Sequence, residues 1–144
     1  MAIVGFGFNL MEVERKKPIS GKVTIKNNIA IKNVEQYNPE LAKKSNTDGL
    51  RFEFEFISNY EPSMGRIRLV GEVFYLGDKK TVQQTLKTWK KEKKVAKELL
   101  PVILNYALNR AHVQAISLSK DAALPPPIQM PRIKMGNENK NYIG

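Results

Sequence analysis

The chain has 144 residues, enough to bury one core but too few for two well-stabilised ones, and its 42% hydrophobic and 26% charged residues are typical of a folded globular protein. It contains no cysteine, which excludes disulfides, thiolate metal sites and cysteine nucleophiles. Its formal net charge of +10 favours a polyanion or an acidic surface as the partner.

No run of apolar residues approaches the roughly 20 that a membrane-spanning helix needs. The first ten residues also lack a charged segment leading into a long apolar one, which a secretory signal would have. We therefore expect one domain over residues 1–144, located in the cytoplasm and not inserted in a membrane.

The first half of the chain has an apolar period of two, which predicts four antiparallel strands joined by short turns. In the first predicted strand, Phe6, Phe8 and Leu10 share a face, and the pattern then slips by one residue to Met11 and Val13. Such a slip predicts a β-bulge in this strand.

The second apolar row contains Val23, Ile25, Ile29 and Ile31 on either side of two asparagines. This pattern leaves two interpretations open, a single bent strand or a tight hairpin. The polar residues 38–49 that follow predict a loop or a short helical turn.

The third and fourth predicted strands alternate most regularly. Apolar residues at every second position, from Leu50 to Phe56, are interleaved with charged ones, which predicts a strand with one buried face. After a predicted turn over residues 59–65, the fourth strand has its apolar side chains at Ile67, Leu69, Val73 and Tyr75. Within it, Gly71 predicts a kink or a site of close packing.

After Gly77 the period changes to that of a helix, whose first turn Asp78 or Thr81 can cap. Val82, Leu86 and Trp89 fall on one face of this helix. At about 100° per residue, a separate, solvent-facing side carries four lysines, namely Lys87, Lys90, Lys91 and Lys94.

A second, longer helix is predicted from Leu99 or Leu100 to about Asp121, because Pro101 is tolerated in a first helical turn. Its expected buried stripe contains five residues: Val102, Ile103, Tyr106, Val113 and Ile116. Residues 125–127 are three prolines, which predict an extended tail from about residue 124 that docks Leu124, Ile128 and Met130 on the body.

Candidate catalytic residues are scarce. His112 is the only histidine and lies within the second predicted helix, where we interpret it as an ordinary, partly buried residue. Glu53 and Glu55 share one side of a strand, but alternation with phenylalanines is what any half-solvated strand gives. The sequence therefore predicts a protein that is not an enzyme and uses no cofactor and no metal.

Residues 79–97, the lysine segment, hold eight lysines and the single acid Glu92, a net charge of +7. A solvated helix face usually interleaves acids with bases, and like charges four residues apart destabilise a helix. This composition favours a phosphate backbone as the partner over an ordinary solvated face. The predicted RNA-binding residues are Lys79, Lys80, Lys87, Lys90, Lys91, Lys93, Lys94, Lys97, Arg132 and Lys134. Five further basic residues could extend this surface: Arg15, Lys16, Lys17, Arg66 and Arg68.

The order of four antiparallel strands, a short helix and a long helix resembles the SecB export-chaperone family. Residues 100–107, LPVILNYA, are similar to the start of the family's long helix, and residues 124–131, LPPPIQMP, resemble the proline-containing segment that follows it. The resemblance implies an α+β SecB-like fold, a tetramer, and apolar grooves that hold unfolded polypeptides. Members of the family present an acidic surface to the export motor, whereas this chain is strongly basic.

Two functions follow for the same scaffold. The first is a ribosome-associated protein that binds ribosomal RNA or ribosomal proteins through the lysine segment and the basic tail. The second is a SecB-type chaperone that holds non-native polypeptides in apolar grooves, against phenylalanine and isoleucine rows exposed on the sheet or beneath the helices. A homo-oligomer is compatible with both functions.

Overall fold

The computed structural model describes residues 2–38 and 46–129. The described elements follow one another as β1 (Ala2–Arg15), β2 (Thr24–Tyr37), β3 (Thr47–Glu61), β4 (Gly65–Asp78), α1 (Lys79–Glu92) and α2 (Leu100–Asp121). The strands form one antiparallel sheet, and both helices pack against the same face of it. This arrangement confirms the predicted fold class, a four-stranded antiparallel sheet followed by a short and a long helix.

The sheet order is β1-β4-β3-β2, so the two strands that come first in the chain form the two opposite edges. Residues 16–23 connect these edges across the end of the sheet, where Lys16 donates its backbone N–H to the Met64 carbonyl at 2.9 Å. The expectation of short turns throughout was therefore wrong for this connection, because the first two strands do not pair with each other.

The predicted β-bulge in β1 is confirmed, although it lies earlier than the sequence suggested. The register shifts between Phe8 and Leu10, and a second shift lies between Ile3 and Gly5. Because the slip occurs at Asn9, Leu10 lies opposite Val70 on the other face of the sheet and does not share a face with Phe8.

Of the two interpretations of the second apolar row, the single strand is correct. β2 runs without a turn through Asn27 and Asn28, and its register shifts once, between Ile31 and Asn33. β3 begins at Thr47, so the predicted loop over residues 38–49 extends too far; residues 39–45 lie outside the described part of the chain.

The core lies between the sheet and the helices. Along β3 every second residue from Leu50 to Phe56 is fully buried on the helix-facing side, as the alternation predicted. Phe54 lies at the centre, with its ring 5.6 Å from that of Phe6 and 6.2 Å from that of Phe8. Burial of these aromatic side chains supplies a large part of the hydrophobic stabilisation.

Gly71 is a site of close packing, one of the two alternatives for this residue. A Cβ built on it would lie 2.5 Å from the Gly7 carbonyl oxygen and 2.8 Å from ring atoms of Phe54. The missing side chain therefore lets the aromatic ring lie directly over the backbone of β4.

Helix α1 begins where the sequence predicted, because Asp78 accepts hydrogen bonds from the backbone N–H and the hydroxyl of Thr81. It ends earlier than the lysine pattern suggested. Lys93 has a φ of 56°, and its N–H donates to the Trp89 carbonyl at 2.8 Å, which closes the helix. Lys94 was therefore wrongly placed on the helix face.

Helix α2 has the predicted bounds, but its buried stripe was largely wrong. The residues that face the sheet are Ile103 and four small residues, namely Ala107, Ala111, Ala115 and Ser119. They are buried because they let the helix axis approach the aromatic side chains of β3 closely. Val102 and Val113, which we expected in the core, are 49% and 70% exposed, and Tyr106 and Ile116 are half-buried.

The proline-containing tail docks on the body as predicted over its described part. Leu124 is buried and Ile128 is partly buried, whereas Met130 lies outside the described residues. The Tyr60 hydroxyl donates to the Pro125 carbonyl at 2.5 Å, and the Asn27 side chain donates to the Pro127 carbonyl at 2.8 Å. Two side chains of the sheet thus hold the backbone of the tail.

The Tyr60 contact predicts a measurable effect of pH on stability. Burial raises the pKa of Tyr60 to about 12, above its usual value near 10. The neutral hydroxyl is therefore favoured in the folded state, and this contribution is complete below about pH 10 and lost as the pH rises towards 12. Tyr60→Phe should lower the free energy of unfolding by about 1 kcal/mol at neutral pH, measured by urea denaturation.

Between about pH 10 and pH 12 the wild type should lose more stability than Tyr60→Phe, because the variant has no phenol to ionise at this position. Because both proteins contain the same other tyrosines and lysines, the difference between their profiles gives the contribution of Tyr60 to the pH dependence of stability. Parallel pH profiles for the two proteins would contradict the burial of this hydroxyl.

Candidate functional site

The carboxylates that the sequence offered as a catalytic pair lie on the sheet face opposite the helices and are engaged by basic side chains. Arg68 donates to Glu55 at 2.7 Å, Lys32 lies 3.5 Å from the same carboxylate, and Arg51 lies 3.6 Å from Glu53. The hydrogen bond from Arg68 lowers the pKa of Glu55, which keeps it ionised. This arrangement is that of a surface ion-pair ladder.

Arg66 and Arg68 also contact Glu12, at 3.9 and 3.7 Å. They lie on the face of the sheet away from α1, so they do not extend the surface formed by the lysine segment.

His112 lies on α2, half-buried, with its ring perpendicular to that of Phe56 at 5.7 Å. Burial lowers its pKa, so the neutral imidazole is favoured near pH 7. Among residues 2–38 and 46–129, no three His, Cys, Asp or Glu side chains come together in a way that could hold a metal ion.

The structure separates the predicted RNA-binding lysines into two groups. Five lie on α1, namely Lys79, Lys80, Lys87, Lys90 and Lys91, and three lie at its end or in the connection to α2, namely Lys93, Lys94 and Lys97. All eight are exposed, and none forms a salt bridge with a described carboxylate. Arg132 and Lys134 lie outside the described residues.

A first groove, the β1 groove, lies between edge strand β1 and helix α2. It encloses about 700 Å³, and its lining includes Phe6, Phe8, Tyr106, Arg110, Val113 and Gln114. The rings of Phe6 and Tyr106 are 5.8 Å apart, and Phe6 also stacks on the buried Phe54. The floor of the groove is therefore an aromatic surface supported directly by the core.

Arg110 partly covers this floor. Its guanidinium carbon lies 5.2 Å from the ring centroid of Phe6 and 4.6 Å from that of Tyr106, and its Nη2 donates to the Tyr106 hydroxyl at 2.7 Å. Stacking of this kind at an exposed site is weak, about 0.5–1 kcal/mol. An apolar ligand side chain can therefore displace the guanidinium at little cost.

A second groove, the β2 groove, lies at the opposite edge, where β2 meets the connection between α1 and α2. It encloses about 310 Å³ and is lined by Ile31, Trp89, Val95 and Leu104 together with Lys93 and Lys94. The Lys93 ammonium lies 5.5 Å from the centroid of the Trp89 ring. Apolar walls with two ammonium groups at the rim define this site.

The indole Nε1 of Trp89 is the one buried side-chain nitrogen or oxygen in the described part of the chain that has no hydrogen-bond partner. A buried donor without an acceptor costs about 1–3 kcal/mol. Trp89 also lines the β2 groove, although its Nε1 atom is itself covered.

The grooves were only partly visible in the sequence. The strand period placed the phenylalanines in the core and the helical period placed Val113 in the buried stripe of α2, so the aromatic floor of the β1 groove was not predicted at these residues. Period alone cannot tell a fully buried apolar residue from one that lines an open groove. Composition carried no signal of an open groove, because aromatic residues make up 8% of the chain and open and closed apolar surfaces contain the same residue types.

No family model matches this sequence, and no curated protein matches it. A search of solved structures matches a Mycobacterium tuberculosis protein, the Rv1957 SecB-like chaperone in complex with a ChAD peptide from the Rv1956 HigA1 antitoxin. The match has a TM-score of 0.57 and covers 94% of this chain and 92% of that chain, at 8% sequence identity. The chain has a SecB-like fold. This match confirms the resemblance that the sequence indicated. Because the two sequences are only 8% identical, the similarity concerns the fold alone.

Neither of the described helices is long and apolar enough to span a bilayer.

Proposed function

We propose that this protein binds non-native polypeptides, with apolar client side chains held in the β1 groove. The observation that carries the proposal is the aromatic floor formed by Phe6, Phe8 and Tyr106, open to solvent on a SecB-like scaffold. Exposed apolar surface of this kind on a soluble domain marks a binding surface.

The geometry of the groove fits an extended chain. β1 is an edge strand, so one side of its backbone has no partner strand among residues 2–38 and 46–129 and can pair with a client segment. Exposed Val113 adds apolar surface at the rim of the aromatic floor. A client would thus contribute main-chain hydrogen bonds along β1 and apolar side chains above it.

The solved SecB-like structure contains a bound peptide, which supports a polypeptide as the ligand of this fold. Ribosomal RNA, the other function considered, has no comparable support from a similar structure. Polypeptide binding is therefore the function that we put forward, and RNA binding becomes an outcome of the experiments below.

The first test measures aggregation of a chemically unfolded client by light scattering, with and without this protein. The wild type should suppress aggregation, and it should do so about equally at low and high salt, because burial of apolar surface carries the binding. Val113→Glu should weaken suppression by about tenfold, because it places a charge at the rim of the apolar groove.

Asn105→Glu is the matched control, since it adds the same charge at an exposed position of α2 that does not line the groove. It should suppress aggregation as the wild type does. Two results would contradict the proposal: no suppression by the wild type, or a Val113→Glu variant that suppresses normally but sediments with a different mass. The second result would assign the β1 groove to self-assembly.

A further inference from the structure

The β2 groove differs from the β1 groove in having ammonium groups beside its apolar walls. Lys93 and Lys94 line it, and neither is neutralised by a carboxylate of the described chain. We propose that the β2 groove selects acidic client segments, taking an aliphatic side chain between Ile31 and Leu104 and a flanking carboxylate at the two lysines. This inference rests on the proposed function, because it presumes that polypeptides are clients.

Charge complementarity is the first argument for an acidic occupant. The lysine segment carries eight lysines and one acid, so the potential around the groove is strongly positive. A carboxylate near Lys93 and Lys94 would be attracted, and an ammonium at the same place would be repelled. The groove thus distinguishes peptides by charge as well as by apolar content.

The unpartnered indole N–H is the second argument, and it concerns a peptide of any charge. Trp89 forms part of the groove wall, it is 8% exposed, and its Nε1 has no acceptor among the described residues. The Nε1 atom is covered in this conformation, so a shift of the ring would have to precede a hydrogen bond to a carbonyl oxygen of a bound peptide. Because every peptide carries backbone carbonyls, this contact favours a polypeptide as the occupant and leaves the choice between acidic and basic peptides to the two lysines.

The free edge of the sheet is the third argument, and it favours a polypeptide over other anions. In the described part of the chain β2 pairs with β3 alone, so its other side can accept an extended backbone next to Ile31. The aliphatic walls formed by Val95 and Leu104 make no favourable contact with a charged phosphate backbone, whereas they can pack against aliphatic side chains of a peptide.

The test uses three synthetic peptides without tryptophan, which share a central aliphatic stretch and differ in flanking glutamates, glutamines or lysines. Trp89 is the only tryptophan of the chain, so its fluorescence reports occupancy of the β2 groove directly. Titration calorimetry on the intact protein gives the affinities. The glutamate peptide should bind about tenfold more tightly than the lysine peptide, with the glutamine peptide between them.

Lys93→Gln/Lys94→Gln should weaken binding of the glutamate peptide by about fivefold and change the glutamine peptide by less than about twofold. Lys79→Gln/Lys80→Gln is the matched control, because it removes the same charge from the other end of α1, roughly 20 Å away. It should leave the preference unchanged. At about 0.5 M salt the preference should shrink, since exposed charges are screened.

The outcomes separate this inference from the proposed function. Equal binding of all three peptides would overturn charge selection and leave polypeptide binding intact. Failure of every peptide to bind or to compete with an unfolded client would overturn both the charge selection and the proposed polypeptide binding. Displacement of the glutamate peptide by a single-stranded oligoribonucleotide, with tighter and steeply salt-dependent binding, would overturn the inference and assign the lysines to RNA.

Discussion

Phe54→Ala should lower the free energy of unfolding by about 3–5 kcal/mol, because it removes a fully buried aromatic side chain from the centre of the sheet. The loss includes its contacts with the rings of Phe6 and Phe8, so the aromatic floor of the β1 groove loses its support. Chemical denaturation measures the first effect, and client binding by the residual folded protein measures the second.

Phe74→Ala is the matched control for this change. Phe74 lies on the other face of the sheet, where it is half-buried and packs on Tyr37 at 4.7 Å. Its removal should cost clearly less stability and leave client binding unchanged. Equal losses for the two variants would contradict the assignment of the core to the helix-facing side.

Gly71→Ala should destabilise the fold by about 1–3 kcal/mol, although it adds a single methyl group. The new Cβ would meet the carbonyl oxygen of Gly7 and the ring of Phe54 at distances that real Cβ atoms do not adopt. Because a backbone atom of the neighbouring strand is involved, a side-chain rotation cannot relieve the clash.

Gly7→Ala tests the same explanation from the adjacent strand. A Cβ at Gly7 meets nothing within 4 Å, so this variant should be as stable as the wild type or more stable by about 0.4–1 kcal/mol. Thermal unfolding of the two variants side by side provides the comparison. A destabilised Gly7→Ala together with a neutral Gly71→Ala would contradict the described register of β1 on β4.

The strands were predictable because the physical signal was local. Alternation from Leu50 to Phe56 follows directly from the period of two, and the bulge in β1 appeared as a slip in that period. Sheet order was not derivable in this way, because the pairing of β1 with β4 depends on contacts between residues at least 50 positions apart. The resemblance to the SecB family supplied the fold class.

The buried face of α2 shows where pattern analysis failed. Large apolar residues were assigned to the core, yet Val113 is exposed and Ala107, Ala111 and Ala115 are buried. The distance between the helix and the sheet decides which side chains fit, and that distance is a property of the tertiary structure. The same limitation hid the grooves, because open and closed apolar surfaces have the same composition.

The lysine segment was recognised from composition, but its geometry was not. The positive φ of Lys93 ends α1 and brings Lys93 and Lys94 to the β2 groove, away from a continuous helical stripe. A left-handed residue other than glycine or asparagine carries little sequence signal. The prediction that these lysines bind ribosomal RNA stays a prediction, to be decided by the peptide and oligonucleotide titrations.

The position of β1 at the edge next to β4 has a consequence for synthesis of the chain. Arg15 pairs with Gly65 and Ala2 pairs with Leu76, so pairing of β1 cannot begin before Gly65 has been synthesised and is complete only after Leu76. At about 5–20 residues per second, a nascent chain spends several seconds with Phe6 and Phe8 uncovered. During that interval the protein is itself an unfolded polypeptide with aromatic side chains exposed, of the kind that its mature grooves would recognise.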